Sequence, residues 1–220
     1  MKYPYSLLKQ NKFPIFGDKT KGKGVFIDLS DKGNIFSECD IKDQQAVQVY
    51  ADELMSSENT NWAISDFGER REKFFRELDA QQMVREKRFY HLGVDIWMSV
   101  NSEIFAPLDG KVVEASYEEG FGNYGGYIVL QHTIDSEIFY SFYGHLNPKI
   151  LPEEGAELKA GDKLAQLGDM TQNGGYFYHT HLQILTQEGY DEGFAHKGYA
   201  TDEIFSEIER YVLDPRYLII

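Results

Sequence analysis

Six histidines occur in the 220 residues, and two of them, His179 and His181, stand on either side of Thr180 in YFYHTHLQI (176–184). On a strand, side chains alternate between faces, so His179, His181 and Gln183 share one side and Thr180, Leu182 and Ile184 the other. Imidazoles at i and i+2 project about 7 Å apart in one direction, near enough to serve one metal site in different roles. Such pairs on a strand are also often simply solvated. FYHLGVDIW (89–97) places His91 and Asp95 four residues apart. Two ligands of one zinc ion have donor atoms about 3–3.5 Å apart, because Zn–N and Zn–O bonds are about 2 Å long. A straight strand would separate the two Cα atoms by about 13 Å. A shared ion therefore demands a bend, for which Gly93 supplies the freedom. Without an ion the two are an incidental histidine and a surface aspartate. FYSFYGHLNP (139–148) sets His145 after Gly144 and before an Asn147-Pro148 turn, where a lone histidine is ordinarily a strand end.

Taken together, His91, Asp95, His145, His179 and His181 exceed what one zinc site needs. A catalytic zinc wants three protein ligands, an open position and nearby groups that manage protons. The single cysteine, Cys39, excludes an intramolecular disulfide and any multi-cysteine metal site. A metal here must be held by His, Asp or Glu, and Cys39 reads as a buried structural thiol.

These residues need a scaffold. The first 40 residues mix Gly, Lys and Asp with short apolar pieces such as GVFIDLS, which predicts irregular chain with one or two short strands. From Asp43 to Met55, Ala46, Val47, Tyr50, Ala51 and Leu54 recur at helical intervals, as do Phe67, Arg71, Phe74, Phe75 and Leu78 in the next segment. Beyond residue 88, aromatic and β-branched runs (GKVVEASY, GYIVLQHT, EIFYSFYGHL, DKLAQLGD) are separated by Gly, Asp and Pro turns, the pattern of an antiparallel β-domain. TDEIFSEIERYVLDPRYLII reads as a helix stopping before Asp214-Pro215, then an apolar tail that packs on the core. The expected organisation is a mixed helical and irregular N-terminal extension (1–88), a mainly β domain (89–190) and a C-terminal helix and tail (191–220).

A hydrophobic content of 42% supports a real core. No apolar run reaches the roughly 20 residues of a membrane span, and MKYPYSLLKQNKFP holds no stretch long enough for a secretory signal, so a cytoplasmic location is expected. The net charge of −14 is uneven: residues 1–88 carry 15 Lys and Arg against 15 Asp and Glu, and residues 89–220 carry 7 against 21. So acidic a half disfavours nucleic acid and anionic lipid as partners and suits neutral or cationic ligands.

The three clusters resemble the motifs of the M23 zinc metallopeptidases, the lysostaphin or LytM type. His91 and Asp95 match the family's H-x-x-x-D, YGHL (143–146) its Y-x-H-L, and HTH its closing H-x-H. IFAPLDGKVVEA and GAELKAGDKLAQLGD are similar to its strand and turn segments, so the resemblance covers about residues 89–188. It implies a curved antiparallel β-sheet of β-sandwich-like character, with zinc in a groove held by His91, Asp95 and His181. It leaves His145 and His179 as the non-ligand histidines of the active site. His179 is read as the base and His145 as the stabiliser of the intermediate, an order the sequence leaves open. The implied substrate is a peptide, with glycyl or D-amino-acid bonds of cell-wall peptides as the family's preference. Where the family's last motif usually reads H-L-H after Pro, Tyr178 and Thr180 stand here, and the Thr180 hydroxyl, facing inward, needs a partner.

Two other functions fit the same residues less fully. A histidine phosphocarrier domain of the sugar-phosphotransferase type also uses two nearby histidines, but has no use for Asp95. A non-catalytic binding module of the same fold would be expected to lack a ligand, and none is missing. Tyr140 and Tyr143 flank His145 and read as packing residues. His132 reads as a core or surface residue and His196 as exposed. Residues 1–88 carry no motif with a mechanism, and their position before His91 suggests that they restrict access to the metal.

Overall fold

The computed structural model describes residues 9–219. Residues 1–8, which begin the stretch read as holding no secretory signal, and Ile220 at the end of the apolar tail are outside the described residues.

The strands are β1 (Val25–Phe26), β2 (Ala63–Ser65), β3 (Tyr90–His91), β4 (Val94–Trp97), β5 (Glu103–Phe105), β6 (Gly110–Glu118), β7 (Gly125–Ile134), β8 (Glu137–Leu146), β9 (Glu157–Leu158), β10 (Lys163–Gln166), β11 (His179–Thr186), β12 (Tyr199–Ala200) and β13 (Val212–Leu213). The α-helices are α1 (Ile35–Glu38), α2 (Gln44–Ser57), α3 (Glu72–Glu77), α4 (Gln81–Glu86), α5 (Gln187–Asp191) and α6 (Asp202–Phe205). The chain is mainly β. A nine-stranded sheet runs β1-β2-β4-β11-β8-β7-β6-β9, with β13 also paired to β11. Every pairing in it is antiparallel except β1 with β2.

Strand alternation sorts the central side chains into two layers. Ile128, Leu130, Tyr143, Leu182 and Ile184 enter the largest core, while Val129, Tyr140, Phe142 and Leu185 enter a second core with Phe194 and Val212. Each fully buried aliphatic or aromatic side chain contributes about 1.5–3 kcal/mol, so the two layers hold the middle of the sheet rigid.

The described segment before residue 89 is built into this sheet through β1 and β2. β2 pairs with β4, setting Ser65 opposite Asp95 and Ala63 opposite Trp97. Helix α2 is capped by Asp43, whose carboxylate accepts from the amides of Gln45 and Ala46. Its buried face is Gln44, Val47, Gln48, Ala51 and Met55, rotated from the expected stripe because Gln48 turns inward to accept a 2.7 Å hydrogen bond from the Tyr178 amide. A third core joins this helix to Phe74, Phe75, Trp97 and Phe177.

Two expected helices are broken. Residues 67–71 are not helical, and the rest splits into α3 and α4 at Asp79, whose φ of 56° no α-helix accommodates. The C-terminal segment divides into α6, a 3₁₀ turn at Ile208–Arg210 and β13. Pairing of β13 with Ile184 and Leu185 overrides helical periodicity there. Cys39 is half-buried rather than buried, and burial together with neighbouring carboxylates pushes its thiol up to about 11.

Candidate metal centre

β11 carries the HTH segment through the middle of the sheet, with β4 on one side and β8 on the other. Its register sets His181 opposite Asp95. His91 arrives from β3 across the Leu92-Gly93 link. Gly93 serves a different purpose from the bend expected of it: a Cβ there would lie 2.5 Å from Cε1 of His181 and 2.6 Å from its Nε2, so only glycine leaves room for that ring.

Three donor atoms converge. His91 Nε2 lies 2.9 Å from His181 Nδ1 and 3.3 Å from Asp95 Oδ1, and His181 Nδ1 lies 3.2 Å from the same oxygen. The opposite ring nitrogens decide the tautomers. His91 Nδ1 donates to the Asp66 carbonyl at 3.2 Å, and His181 Nε2 donates to Gln183 Oε1 at 2.9 Å, with the Gln183 amide nitrogen turned toward the carbonyls of Phe194 and Lys197. Two imidazole lone pairs and one carboxylate oxygen thus face each other with no proton to share. That arrangement is repulsive unless a cation sits among them, and the edges match the roughly 3.3 Å of a tetrahedron whose bonds are about 2 Å. The donor set fits zinc. The outer hydrogen bonds on both rings are those that orient metal-ligating histidines.

The remaining two histidines are held differently. In β8 the register passes from Leu146 opposite Gly126 to Tyr143 opposite Ile128, so Gly144 and His145 together oppose the single Tyr127. This bulge gives His145 a φ of 65°, a conformation that costs a non-glycine residue about 1–3 kcal/mol and turns it off the core face. His145 Nδ1 donates to the Asn173 carbonyl at 2.8 Å, and His179 Nδ1 to the Phe177 carbonyl at 2.9 Å. Among the described residues no hydrogen bond takes Nε2 of either. His179 Nε2 is 3.7 Å from Asp95 Oδ1, and the two rings are 4.2 Å apart.

Burial keeps His91, His145 and His179 neutral. It pulls His91 down to about 3 and His179 to about 4, and it holds His145 well below its ordinary range with help from neighbouring His179. Burial alone would raise Asp95, but the buried Arg71 guanidinium beside Oδ2 outweighs it and keeps the carboxylate ionised.

Thr180, on the opposite face of β11, donates to the Gly144 carbonyl at 3.0 Å and so ties β11 to the bulge beside His145. Tyr143 lies in the main core, and Tyr140 donates to Gln187 while stacked on Tyr190, so both pack. His132 is buried in β7, away from the cluster. His196 is exposed, as expected, and pairs with Glu114 and Glu118 on the wall of the cleft.

A cleft of about 280 Å³ opens on Asp95, His145, His179 and His181. Tyr124, Tyr176 and Tyr199 line it, with Phe74, Phe75 and Met83 from the N-terminal segment. None of these three tyrosines is marked by spacing in the sequence. Asn173, fully buried, was equally silent: its amide donates to the carbonyls of Tyr176 and Phe177 and accepts from the amides of Gly175 and Tyr176. Arg71, expected on a helix face, is instead a buried cation against Asp95.

Residues 89–192 match the profile of Peptidase family M23. The lipoprotein NlpD of Yersinia enterocolitica is 39% identical over 74 residues, which are 34% of this chain and 70% of that protein. The chain belongs to peptidase family M23. The murein hydrolase activator NlpD of Escherichia coli (strain K12) is 38% identical over 76 residues, 34% of this chain and 18% of that protein, so the chain spans less than a fifth of that relative's length. Among solved structures, the catalytic domain of lysostaphin from Staphylococcus simulans is 27% identical with a TM-score of 0.38, over 54% of this chain and 80% of that one. All five residues of the centre lie within the M23 match, whereas Glu69, Arg71 and Tyr199, which adjoin them, lie outside it.

Proposed function

We propose that this M23 chain is a zinc-dependent endopeptidase. His91, Asp95 and His181 hold the ion, and His145 and His179 manage protons. The observation that carries this reading is the convergence of two imidazole lone pairs and one carboxylate oxygen within 3.3 Å of each other. When bound, zinc would polarise the scissile carbonyl and make a water nucleophilic near neutral pH. The chain's own part is positional. Carbonyls fix Nδ1–H on His145 and His179, which leaves each Nε2 as an acceptor at the cleft. Burial keeps both rings neutral at pH 7, so either can take a proton from the nucleophile and then, as the cation, donate to the charge on the tetrahedral intermediate or to the leaving amine. His179, nearer to Asp95, is assigned as the base and His145 as the donor.

The substrate is a peptide, with glycyl or D-amino-acid bonds of peptidoglycan cross-links as the preferred class. The cleft of about 280 Å³ lined by Tyr124, Tyr176 and Tyr199 supports it, because so small a space suits peptide backbone better than bulky side chains. Zinc-loaded protein incubated with muropeptides and oligoglycine peptides is expected to release fragments seen by mass spectrometry. Cleavage should stop with a chelator and return with zinc. Full zinc occupancy without cleavage of either substrate would overturn the reading.

The names of the NlpD relatives favour a second reading, a non-catalytic activator of murein hydrolases. It requires stimulation of a murein hydrolase by a His179→Ala variant as strong as that by the parent.

A further inference from the structure

Asp95 presents two oxygens with different surroundings. Oδ1 faces His91 and His181, while Oδ2 accepts from Arg71 Nη1 at 2.7 Å. Arg71 is 1% exposed. Its Nε and Nη2 lie 3.0 and 2.8 Å from Glu69 Oε2, and Nη1 also donates to the Tyr199 hydroxyl at 3.0 Å. Tyr199 in turn sits opposite His91 in the β12–β3 pairing. The guanidinium is therefore held on two sides before it meets Asp95. A planar fork so restrained fixes the plane of the carboxylate it grips, which a lysine ammonium does not do.

We infer that Arg71, braced by Glu69 and Tyr199, is a positioning residue that holds Asp95 by Oδ2, so that Oδ1 alone is offered to the metal and the second oxygen is kept out of the coordination sphere. This rests on the reading of His91, Asp95 and His181 as a zinc site. A carboxylate free to rotate can bind an ion through both oxygens and fill the position that a water or substrate needs, and Arg71 prevents that. It also balances charge: Asp95 and Glu69 are two buried carboxylates, and one buried cation leaves a single negative charge for a divalent ion to meet. Because Arg71 lies between α2 and β3, in the segment before the M23 match, the stretch that carries Glu69 and Arg71 is part of the centre and not a detachable cover.

The test measures zinc affinity on the full chain by competition with a chromophoric chelator. The parent is compared with Arg71→Lys and with the double variant Glu69→Gln/Arg71→Met, which removes one charge of each sign and so leaves the net buried charge unchanged. The double variant is expected to bind zinc about 10–100-fold more weakly, the range for loss of a partner that orients a ligand, and Arg71→Lys less so. With cobalt(II) in place of zinc, the visible absorption of both variants should weaken as Asp95 turns to bind through both oxygens. Zinc affinity within twofold of the parent and an unchanged cobalt spectrum in the variants would overturn the inference while leaving the zinc site standing. A parent that binds no zinc would overturn both. If circular dichroism shows the double variant unfolded, Arg71→Lys decides alone by the same two readouts.

Discussion

His132, His145, His179 and His181 are buried on strands of one sheet, with His91 on the short neighbouring strand β3, yet they differ in what is left over. His132 donates from Nδ1 to the Asp109 carbonyl at 2.8 Å and accepts at Nε2 from Ser141 Oγ at 2.7 Å. Both ring nitrogens are used, and the imidazole is a satisfied core residue. His145 and His179 use Nδ1 in the same way, but their Nε2 atoms open on a cleft. His91 and His181 have both nitrogens surrounded, with the inner ones aimed at each other and at a carboxylate. Burial does not separate these groups, since all are nearly inaccessible. The unspent nitrogen does.

Substitutions should break the comparison at this point. His145→Ala and His179→Ala are each expected to keep the metal and lower kcat by about 10²–10⁴-fold, the usual contribution of a positioned acid or base; steady-state kinetics with metal analysis checks this. His132 should instead report only on stability. Burial pulls it from its ordinary 6.5 to about 4. The unfolded chain therefore binds the proton first as pH falls, and the stability His132 contributes is whole above pH 6.5 and lost as pH falls through 4. The fall in unfolding free energy between pH 7 and pH 4 should shrink by about 3 kcal/mol in His132→Gln, measured by urea titration, with kcat unchanged at pH 7.

Asn173 sharpens the contrast, because its carbonyl takes His145 and its amide holds the Phe177 carbonyl that takes His179. Asn173→Ala should cost about 1–3 kcal/mol of stability by leaving buried polar groups unpaired and lower kcat through both histidines without loss of metal. The smallest effect is expected of Thr180→Val, about 1 kcal/mol for one lost hydrogen bond to Gly144, seen as a lowered melting temperature.

The sequence made the β-domain and the five residues of the centre readable, because strand period and motif order are local and HTH, YGHL and H-x-x-x-D each lie within a few residues. Thr180 shows where that stops: its inward face was legible, but its partner, the carbonyl beside a bulge 36 residues away, was not. Arg71 was read as part of a helical stripe because its spacing to Phe67, Phe74 and Phe75 permits one. Only the closure of β2 onto β4 brings it to Asp95. Asn173 and the three cleft tyrosines stand in turns and short strands, where no period marks them. The broken C-terminal helix failed for a related reason, since pairing with β11 is a long-range contact that outweighs local preference.

The central claim is that three inward-facing donors form a metal site whose two neighbouring histidines are not ligands. Zinc content per chain, measured by native mass spectrometry on the parent, His181→Ala and His179→Ala proteins, tests it most directly. The expected result is one zinc in the parent, none in His181→Ala and one in His179→Ala. Equal zinc in all three proteins, or none in the parent after loading, would contradict it.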